Sequence, residues 1–309
     1  MPEKRLRWRI AKNKGFRGMI VLLSLLSMIP LVLILFYILK NGILSLNWEF
    51  LVELPKPVGE EGGGIANGLV GSLLLVITAS LPAVPLGVAA GVYLSEHKET
   101  KLSYWAGLAV DVLQGIPSVV IGIIAYVWVV VPMAGFSALS GGVALGMMML
   151  PMIIKSTEET LNLVPYALKE AALALGVPYY RTMIRVILPA GLSGIMTGVL
   201  ISVARIAGET APLIFTAFGN AFMNWNIMKP VNSLPLLIYN YATSPYPEWH
   251  RAAWGASCVL VGFILTLNLA VRLVTRRWKV RFLKQKLCRH IMGKTRWSER
   301  FRFPSGKEG

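Results

Sequence analysis

Long apolar runs alternate with short polar segments along the chain, and most of these runs have the length of a membrane-spanning helix. Crossing the hydrocarbon core requires about 20 predominantly apolar residues in a helix, and hydropathy windows of that size identify such helices. The pattern predicts an all-α integral membrane protein with six transmembrane helices, at residues 19–39, 69–93, 108–131, 143–154, 192–218 and 252–274. The fourth run is the shortest and contains Pro151.

The composition also favours a membrane protein. Of the 309 residues, 55% are hydrophobic and 15% are charged, whereas soluble domains carry about 25% charged residues. A soluble enzyme is therefore excluded. The first apolar run follows a basic segment, as in secretory signals, but it is longer than the apolar region of a signal, and residues 37–47 contain no small-x-small cleavage site. We therefore expect this run to remain in the protein as a helix.

The net charge of +16 is concentrated at the two ends of the chain. Residues 1–17 carry seven Lys or Arg and residues 272–309 carry thirteen, while the 254 residues between them carry eleven basic and twelve acidic side chains. Six spans place both ends on the same side, and the positive-inside rule makes that side cytoplasmic. We expect a multi-pass protein of the cytoplasmic (inner) membrane whose basic ends contact membrane lipid and bind no nucleic acid.

The apolar runs and the charge distribution divide the chain into three segments. Residues 1–68 contain the basic cytoplasmic start, the first helix and a Gly- and Pro-rich outer loop; residues 69–275 contain a core of five helices; residues 276–309 form a basic cytoplasmic tail suited to anionic lipid. Prolines lie inside several core spans, where the freed backbone groups need neighbouring helices or a polar path. These prolines are Pro82, Pro85, Pro117 and Pro151.

The segment at residues 158–190 is polar enough to lie outside the membrane. Acidic residues precede a run of good helix formers that ends at Gly176, and a second run follows Pro178 and ends at Pro189. Glycine commonly terminates a helix because it adopts a left-handed backbone without strain. We therefore predict two short cytoplasmic helices with a bend at Gly176, a compact element suited to a groove on another protein.

A motif in this segment resembles the EAA loop of permease subunits from binding-protein-dependent ABC importers. The matching residues are Glu170, Ala171, Ala172, Gly176 and the sequence Val-Ile-Leu-Pro at 186–189. The resemblance implies a MetI-like five-helix permease core preceded by an added N-terminal helix. It also implies that Glu170, Ala171, Ala172 and Gly176 take part in docking on an ATP-binding subunit and in coupling its closure to the membrane helices.

A second motif resembles the PstA-type phosphate permeases within that family. Residues 204–213 read Ala-Arg-Ile-Ala-Gly-Glu-Thr-Ala-Pro-Leu, and residues 115–122 and 233–249 resemble the third span and outer loop of the same permeases. The resemblance implies ATP-driven phosphate import by alternating access. The implied partners are a second homologous permease subunit, a dimer of ATP-binding subunits and an extracytoplasmic phosphate-binding protein.

Arg205 and Glu209 are the charged residues that the fifth apolar run would bury. Ionisable residues at membrane depth are costly, so they usually face a bundle interior or a polar pathway. On a continuous helix, positions i and i+4 share a face and can form an ion pair. The pair is either a structural link or part of a substrate path formed by Arg205, Glu209 and Thr210, in which the guanidinium binds an anion.

The sequence favours a transporter subunit that is not itself an enzyme. Residues 293–295 read Gly-Lys-Thr, as at the end of a phosphate-binding loop, but Cys288 stands where the first glycine is required. We therefore expect no cofactor in this chain, with ATP bound by a partner, and no metal, because the His and Cys residues lack ligand spacing. The alternatives are a companion permease, a permease for another oxyanion, or an ion-coupled secondary transporter.

Overall fold

The computed structural model describes residues 2–60 and 62–269, and this part of the chain is helical with no β-strand. The predicted basic tail at 276–309 and the end of the sixth apolar run lie outside the described residues. The helices are α1 Pro2–Gly42, α2 Trp48–Val52, α3 Ala66–Glu96, α4 Lys101–Gly115, α5 Ser118–Ala125, α6 Val131–Met133, α7 Ala138–Asn162, α8 Tyr166–Ala174, α9 Tyr179–Thr182, α10 Leu188–Ala207, α11 Ala211–Thr216, α12 Leu234–Ala242 and α13 Pro247–Leu269.

Two π-helical turns join some of these helices into longer rods. Tyr126–Val130 connects α5 to α6, and Met183–Ile187 connects α9 to α10. Five rods in the described residues are long and apolar enough to cross a membrane, and the bent pair formed by α4 and α5–α6 makes a sixth. The predicted all-α membrane fold with six spans is therefore confirmed.

The third predicted span, residues 108–131, is wrong as a single helix. Its two halves, Lys101–Gly115 and Ser118–Met133, are bent by 107° at Ile116 and Pro117. Proline disfavours a helical backbone in the residue before it, and Ile116 is extended, with φ −72° and ψ 129°. The apolar run continues through this bend, so hydropathy alone does not detect it.

The fifth predicted span, residues 192–218, is also wrong as one continuous helix. Helix α10 ends at Ala207, Gly208 follows as its cap, and the short helix α11 begins at Ala211. Pro212 lies in the first turn of α11, where its missing N–H leaves no donor unsatisfied. At its other end this span begins at Tyr179, well before residue 192. Both discontinuities, at Pro117 and at Gly208, thus lie within apolar runs.

Helix α7 is the centre of the bundle and is much longer than the predicted residues 143–154. It runs continuously through Pro151 and begins with a capping box formed by Ser137 and Ser140. Glycines on its neighbours allow close contact: a Cβ at Gly87 of α3 would lie 2.8 Å from Ile153, and one at Gly91 would lie 2.6 Å from the Ile154 carbonyl oxygen. Helices α3 and α7 therefore pack as one rigid pair.

The N-terminal helix α1 lies apart from this core along most of its length. The most apolar stretch of its span has no buried residue. Contact occurs near its C-terminal end, where the Tyr37 and Trp254 rings lie 5.5 Å apart and Gly42 approaches the Trp254 carbonyl oxygen. The described structure thus consists of a compact bundle of the later spans with α1 attached at one end of it.

The two ends of the bundle differ. At one end the segment between α11 and α12 folds over the start of α7, where the Ala138 N–H donates to the Lys229 carbonyl and the Leu234 N–H to the Ser72 hydroxyl. At the other end α3 and α7 terminate and α8 projects from the bundle. We refer to this second end as the α8 end.

Candidate functional site

Arg205 and Glu209 form the ion pair that the sequence predicted, although α10 ends between them. Arg205 lies in the last turn of α10, and Glu209 follows the end of that helix. The turn keeps the two side chains close, because the N–H groups of Gly208 and Glu209 donate to the carbonyls of Arg205 and Ile206. The Arg205 Nε and Glu209 Oε1 atoms are 3.6 Å apart.

The guanidinium of Arg205 retains donors for a further ligand. Its side chain is 50% exposed, while that of Glu209 is 19% exposed. Its other partner among the described residues is the Met152 thioether of α7, which accepts from Nη1 at 3.5 Å. A guanidinium carries five N–H donors and a thioether is a weak acceptor, so a stronger acceptor can replace these contacts.

The break at Pro117, between α4 and α5, lies beside the break at Gly208, between α10 and α11. A Cβ at Gly122 of α5 would lie 2.7 Å from Cα of Pro212 in α11, so the half-helices that follow the two breaks are in direct contact. Thr210 stands at the start of α11, half-buried, and its side chain makes no capping bond. Irregular backbone at membrane depth occurs where it is buried in protein or lines a polar cavity. Arg205, Glu209 and Thr210 are therefore grouped at such a position.

A further ionic cluster lies on the same side of α7 as Met152. Lys155 Nζ is 3.1 Å from Asp111 Oδ1 of α4 and 3.5 Å from Glu158 Oε2. The sequence analysis assigns no functional role to Lys155. Its i, i+3 spacing with Glu158 was visible in the sequence, whereas the approach of Asp111 depends on the packing of α4 against α7.

The bend in the segment with the EAA resemblance falls at Gly176, as predicted. Gly176 has φ +75°, a left-handed conformation that a glycine adopts without strain. The helix bounds differ from the prediction, because residues 158–162 belong to α7 and the second run does not end at Pro189. The helix that starts at Tyr179 continues through the π-helical turn into α10, so the bend connects directly to a span.

The residues with the EAA resemblance lie on α8 and at the bend that follows it, and most of them are exposed. Glu170, Ala171 and Gly176 are exposed, while Ala172 is buried against the rest of the chain. Large apolar side chains around them are exposed as well, including Leu163 at 84% and Leu175 at 83%. An exposed apolar surface with polar neighbours is typical of a protein-binding surface.

A cluster that the sequence reading missed attaches α8 to the end of α3. The Glu96 carboxylate accepts hydrogen bonds from Lys169 of α8 and from Tyr179 of α9. Lys169 Nζ also lies 5.0 Å from the Tyr179 ring centre and 5.7 Å from that of Tyr166. Burial lowers the pKa of Lys169, but the hydrogen bond and charge of Glu96 outweigh it and raise that pKa. We call Glu96, Lys169 and Tyr179 the Glu96 cluster.

The fold formed by these spans is similar to that of solved ABC transporters. The chain resembles the solved inward-facing methionine ABC transporter MetNI, with a TM-score of 0.55 and 18% identity over 69% of this chain and 94% of that one. An amino acid ABC transporter crystallised with histidines gives a TM-score of 0.51 and 19% identity over 69% and 93% of the two chains. At these identities the likeness defines the fold alone.

Sequence comparison defines the family. Residues 83–280 match the family described as binding-protein-dependent transport system inner membrane component. The chain is 37% identical to the phosphate transport system permease protein PstA of Yersinia pestis, over 90% of this chain and 94% of the relative. It is 35% identical to the probable phosphate transport system permease protein PstA of Methanocaldococcus jannaschii, over 88% and 96%. The chain therefore belongs to this family of inner membrane permeases and groups with its PstA members.

Proposed function

We propose that the chain is the membrane permease subunit of an ATP-driven importer of inorganic phosphate. The observation that carries the proposal is the Arg205 and Glu209 pair at the break between α10 and α11, in a chain whose relatives are phosphate permeases in both bacteria and an archaeon. The names of these relatives favour phosphate over another oxyanion as the substrate. The ABC importer fold favours ATP-driven transport over ion-coupled secondary transport.

The orientation follows from charge. Seven Lys or Arg lie in residues 1–17 at the start of α1, and the segments 94–107 and 155–191 at the α8 end carry six of the eleven Lys or Arg between residues 18 and 271. The positive-inside rule therefore supports a cytoplasmic position for the α8 end and for both termini. In this orientation α8 faces an ATP-binding subunit dimer, and the loop between α11 and α12 faces an extracytoplasmic phosphate-binding protein. A second, homologous permease subunit would complete the membrane part.

In this proposal Arg205 is the anion contact on the path. Phosphate offers oxygens in the geometry that a guanidinium binds through two parallel N–H donors. Glu209 holds the guanidinium in place and balances its charge while the path is empty. When phosphate arrives, it replaces the Glu209 and Met152 contacts, and the pair forms again after release. The half-buried Thr210 hydroxyl supplies a further polar group beside the same break.

Alternating access requires that closure of the ATP-binding subunits reach this site. Helix α8 is the projecting element that would dock on them, with the exposed Glu170 and Ala171 at the contact and the buried Ala172 holding the helix to the chain. No ATP-binding loop is evident in this sequence, so hydrolysis is assigned to the partner.

The direct test is purification and reconstitution. The tagged chain should bring an ATP-binding subunit out of the native membrane, and the complex in proteoliposomes should import radiolabelled phosphate only when ATP and the binding protein are present. Excess phosphate should compete fully and excess sulfate weakly. Uptake driven by an ion gradient without ATP, or equal competition by sulfate, would overturn the proposal.

A further inference from the structure

The Glu96 cluster joins three elements at one carboxylate. Glu96 is the last residue of α3, while Lys169 lies on α8 and Tyr179 opens α9. Both side chains donate to the same Oε2 atom of Glu96. Lys169 and Tyr179 stand on either side of the Gly176 bend, so this single carboxylate fixes both arms of the bend against the end of a membrane span.

The two charged side chains of the cluster are largely shielded from water. The side chains of Glu96 and Lys169 are only 12% and 17% exposed. The rings of Tyr166 and Tyr179 cover the ammonium group, and such cation–π contacts strengthen when the cation is desolvated. A shielded charge whose partner is removed is strongly destabilised. The three groups therefore hold one arrangement as long as the carboxylate is present.

Apart from the Glu96 cluster, α8 contacts the rod that follows it, at α9 and at the π-helical turn Met183–Ile187. Ala172 is the one buried residue among the nine residues of this helix. Short connections at 163–165 and 175–178 join it to α7 and α9. Both connections act at the ends of the helix, whereas Lys169 lies at its middle. The Glu96 cluster thus differs from these attachments, because through Glu96 it links α8 to α3 rather than to the spans adjacent in sequence.

Helix α3 is a suitable element to receive a displacement. Its glycines at 87 and 91 bring it into direct contact with α7, and α7 carries Met152, which contacts the Arg205 guanidinium. Because close-packed helices move together and do not deform continuously, a movement of the end of α3 is shared with α7.

We propose that Glu96 is a positioning residue for energy coupling, which transmits the movement of α8 on a docked ATP-binding subunit to the α3–α7 pair. This inference rests on the proposed function. Without the carboxylate, α8 can follow the ATP-binding subunit while α3 stays in place. Hydrolysis then continues and import falls, so the number of ATP molecules hydrolysed per phosphate imported rises. A purely structural role would lower assembly or thermal stability and leave this ratio unchanged.

The experiment measures that ratio for the assembled complex in proteoliposomes. Glu96→Ala and Lys169→Glu should each raise it about tenfold, the effect of a coupling change of about 1.4 kcal/mol. The charge exchange Glu96→Lys with Lys169→Glu rebuilds the pair and should return the ratio to within about threefold of the original, a residual change under 1 kcal/mol. Glu99→Gln, an exposed acid in the adjacent turn, is the matched control and should leave it unchanged.

The outcomes separate the two proposals. An unchanged ratio in assembled Glu96→Ala complex overturns the role of Glu96, as does a charge exchange that assembles but stays uncoupled. If Glu96→Ala does not assemble, the charge exchange decides alone: restored assembly with a normal ratio supports the role, and restored assembly with a raised ratio overturns it. If the unmodified complex shows no ATP-dependent phosphate import, the proposed function fails, whatever the variants do.

Discussion

Replacing both members of the Arg205 and Glu209 pair distinguishes an anion contact from a structural link. The relevant variants are Arg205→Gln, Glu209→Gln and the double replacement, which keeps side-chain length and polarity while removing both charges. Lys40→Gln, which removes an exposed cation from α1, is the control for charge alone. Each variant is purified with its partners and assayed for thermal stability, ATP hydrolysis and phosphate uptake.

The structure limits how much the pair can contribute to stability. At 3.6 Å, two unit charges attract by about 5 kcal/mol at an effective dielectric of about 20. Because the Arg205 side chain is half exposed, solvent screening and desolvation reduce the net value towards the 1 kcal/mol or less of exposed pairs. A loss of about 1 kcal/mol changes an equilibrium by about fivefold. Stability alone therefore cannot explain uptake that falls to background.

The expected results differ between variants. Glu209→Gln leaves Arg205 without its counter-charge and should lower the thermal midpoint. The double replacement should recover that midpoint because no unpaired charge remains, and its ATPase should work, yet phosphate uptake should stay near background because the guanidinium is absent. Substantial uptake by the double variant would refute the anion contact and leave the pair as a link between the end of α10 and the following turn.

Three further predictions concern other elements. Gly176→Val should reduce subunit association and uptake, because the left-handed backbone costs a β-branched residue about 1–2 kcal/mol while the added side chain meets open space; Gly176→Ala should be milder, and normal assembly of the valine variant would contradict the prediction. Lys155→Met should lower the thermal midpoint of the complex more than Asp111→Asn, because Asp111 is the more exposed partner; equal shifts would contradict this order. Truncation at Arg277 should reduce binding to anionic vesicles and leave uptake largely intact, so loss of uptake in a normally assembled complex would show that the tail has a transport role.

Apolar runs locate the spans of this chain but not the shape of each span. Pro82, Pro85 and Pro151 all lie inside continuous helices, whereas Pro117 follows a bend of 107°. The four prolines have the same local effect on the backbone, so packing decides which helix continues. The stretch of α7 around Pro151 is mostly buried, and neighbouring helices hold it straight. This packing belongs to the tertiary structure, and a hydropathy window does not report it.

The sequence predicted those residues of the candidate site that stand out within a single helix or apolar run. Arg205 and Glu209 stand out because they are charged residues in an apolar run, and Gly176 stands out because a helix former run stops there. Glu96 gives no such signal: it ends a span, where an acidic residue is unremarkable, and its partners lie more than seventy positions further along the chain. Long-range ion pairs of this kind follow from the packing of helices and not from spacing in the sequence.

One continuous rod connects the Glu96 cluster to the Arg205 and Glu209 pair. The helix that begins at Tyr179 in the Glu96 cluster is continuous to Ala207 and carries Arg205 in its last turn. At a rise of 1.5 Å per residue the distance from Tyr179 to Arg205 is about 39 Å, which exceeds the roughly 30 Å hydrocarbon thickness. A tilt of this rod at the α8 end therefore displaces the guanidinium at the other end without any change within the helix. The rod includes the π-helical turn at Met183–Ile187, and π-helical turns are frequent at functional sites. In the proposed coupling, a movement of the Glu96 cluster therefore reaches the Arg205 and Glu209 pair both through α3 and α7 and along this rod, which begins at Tyr179 of the same cluster.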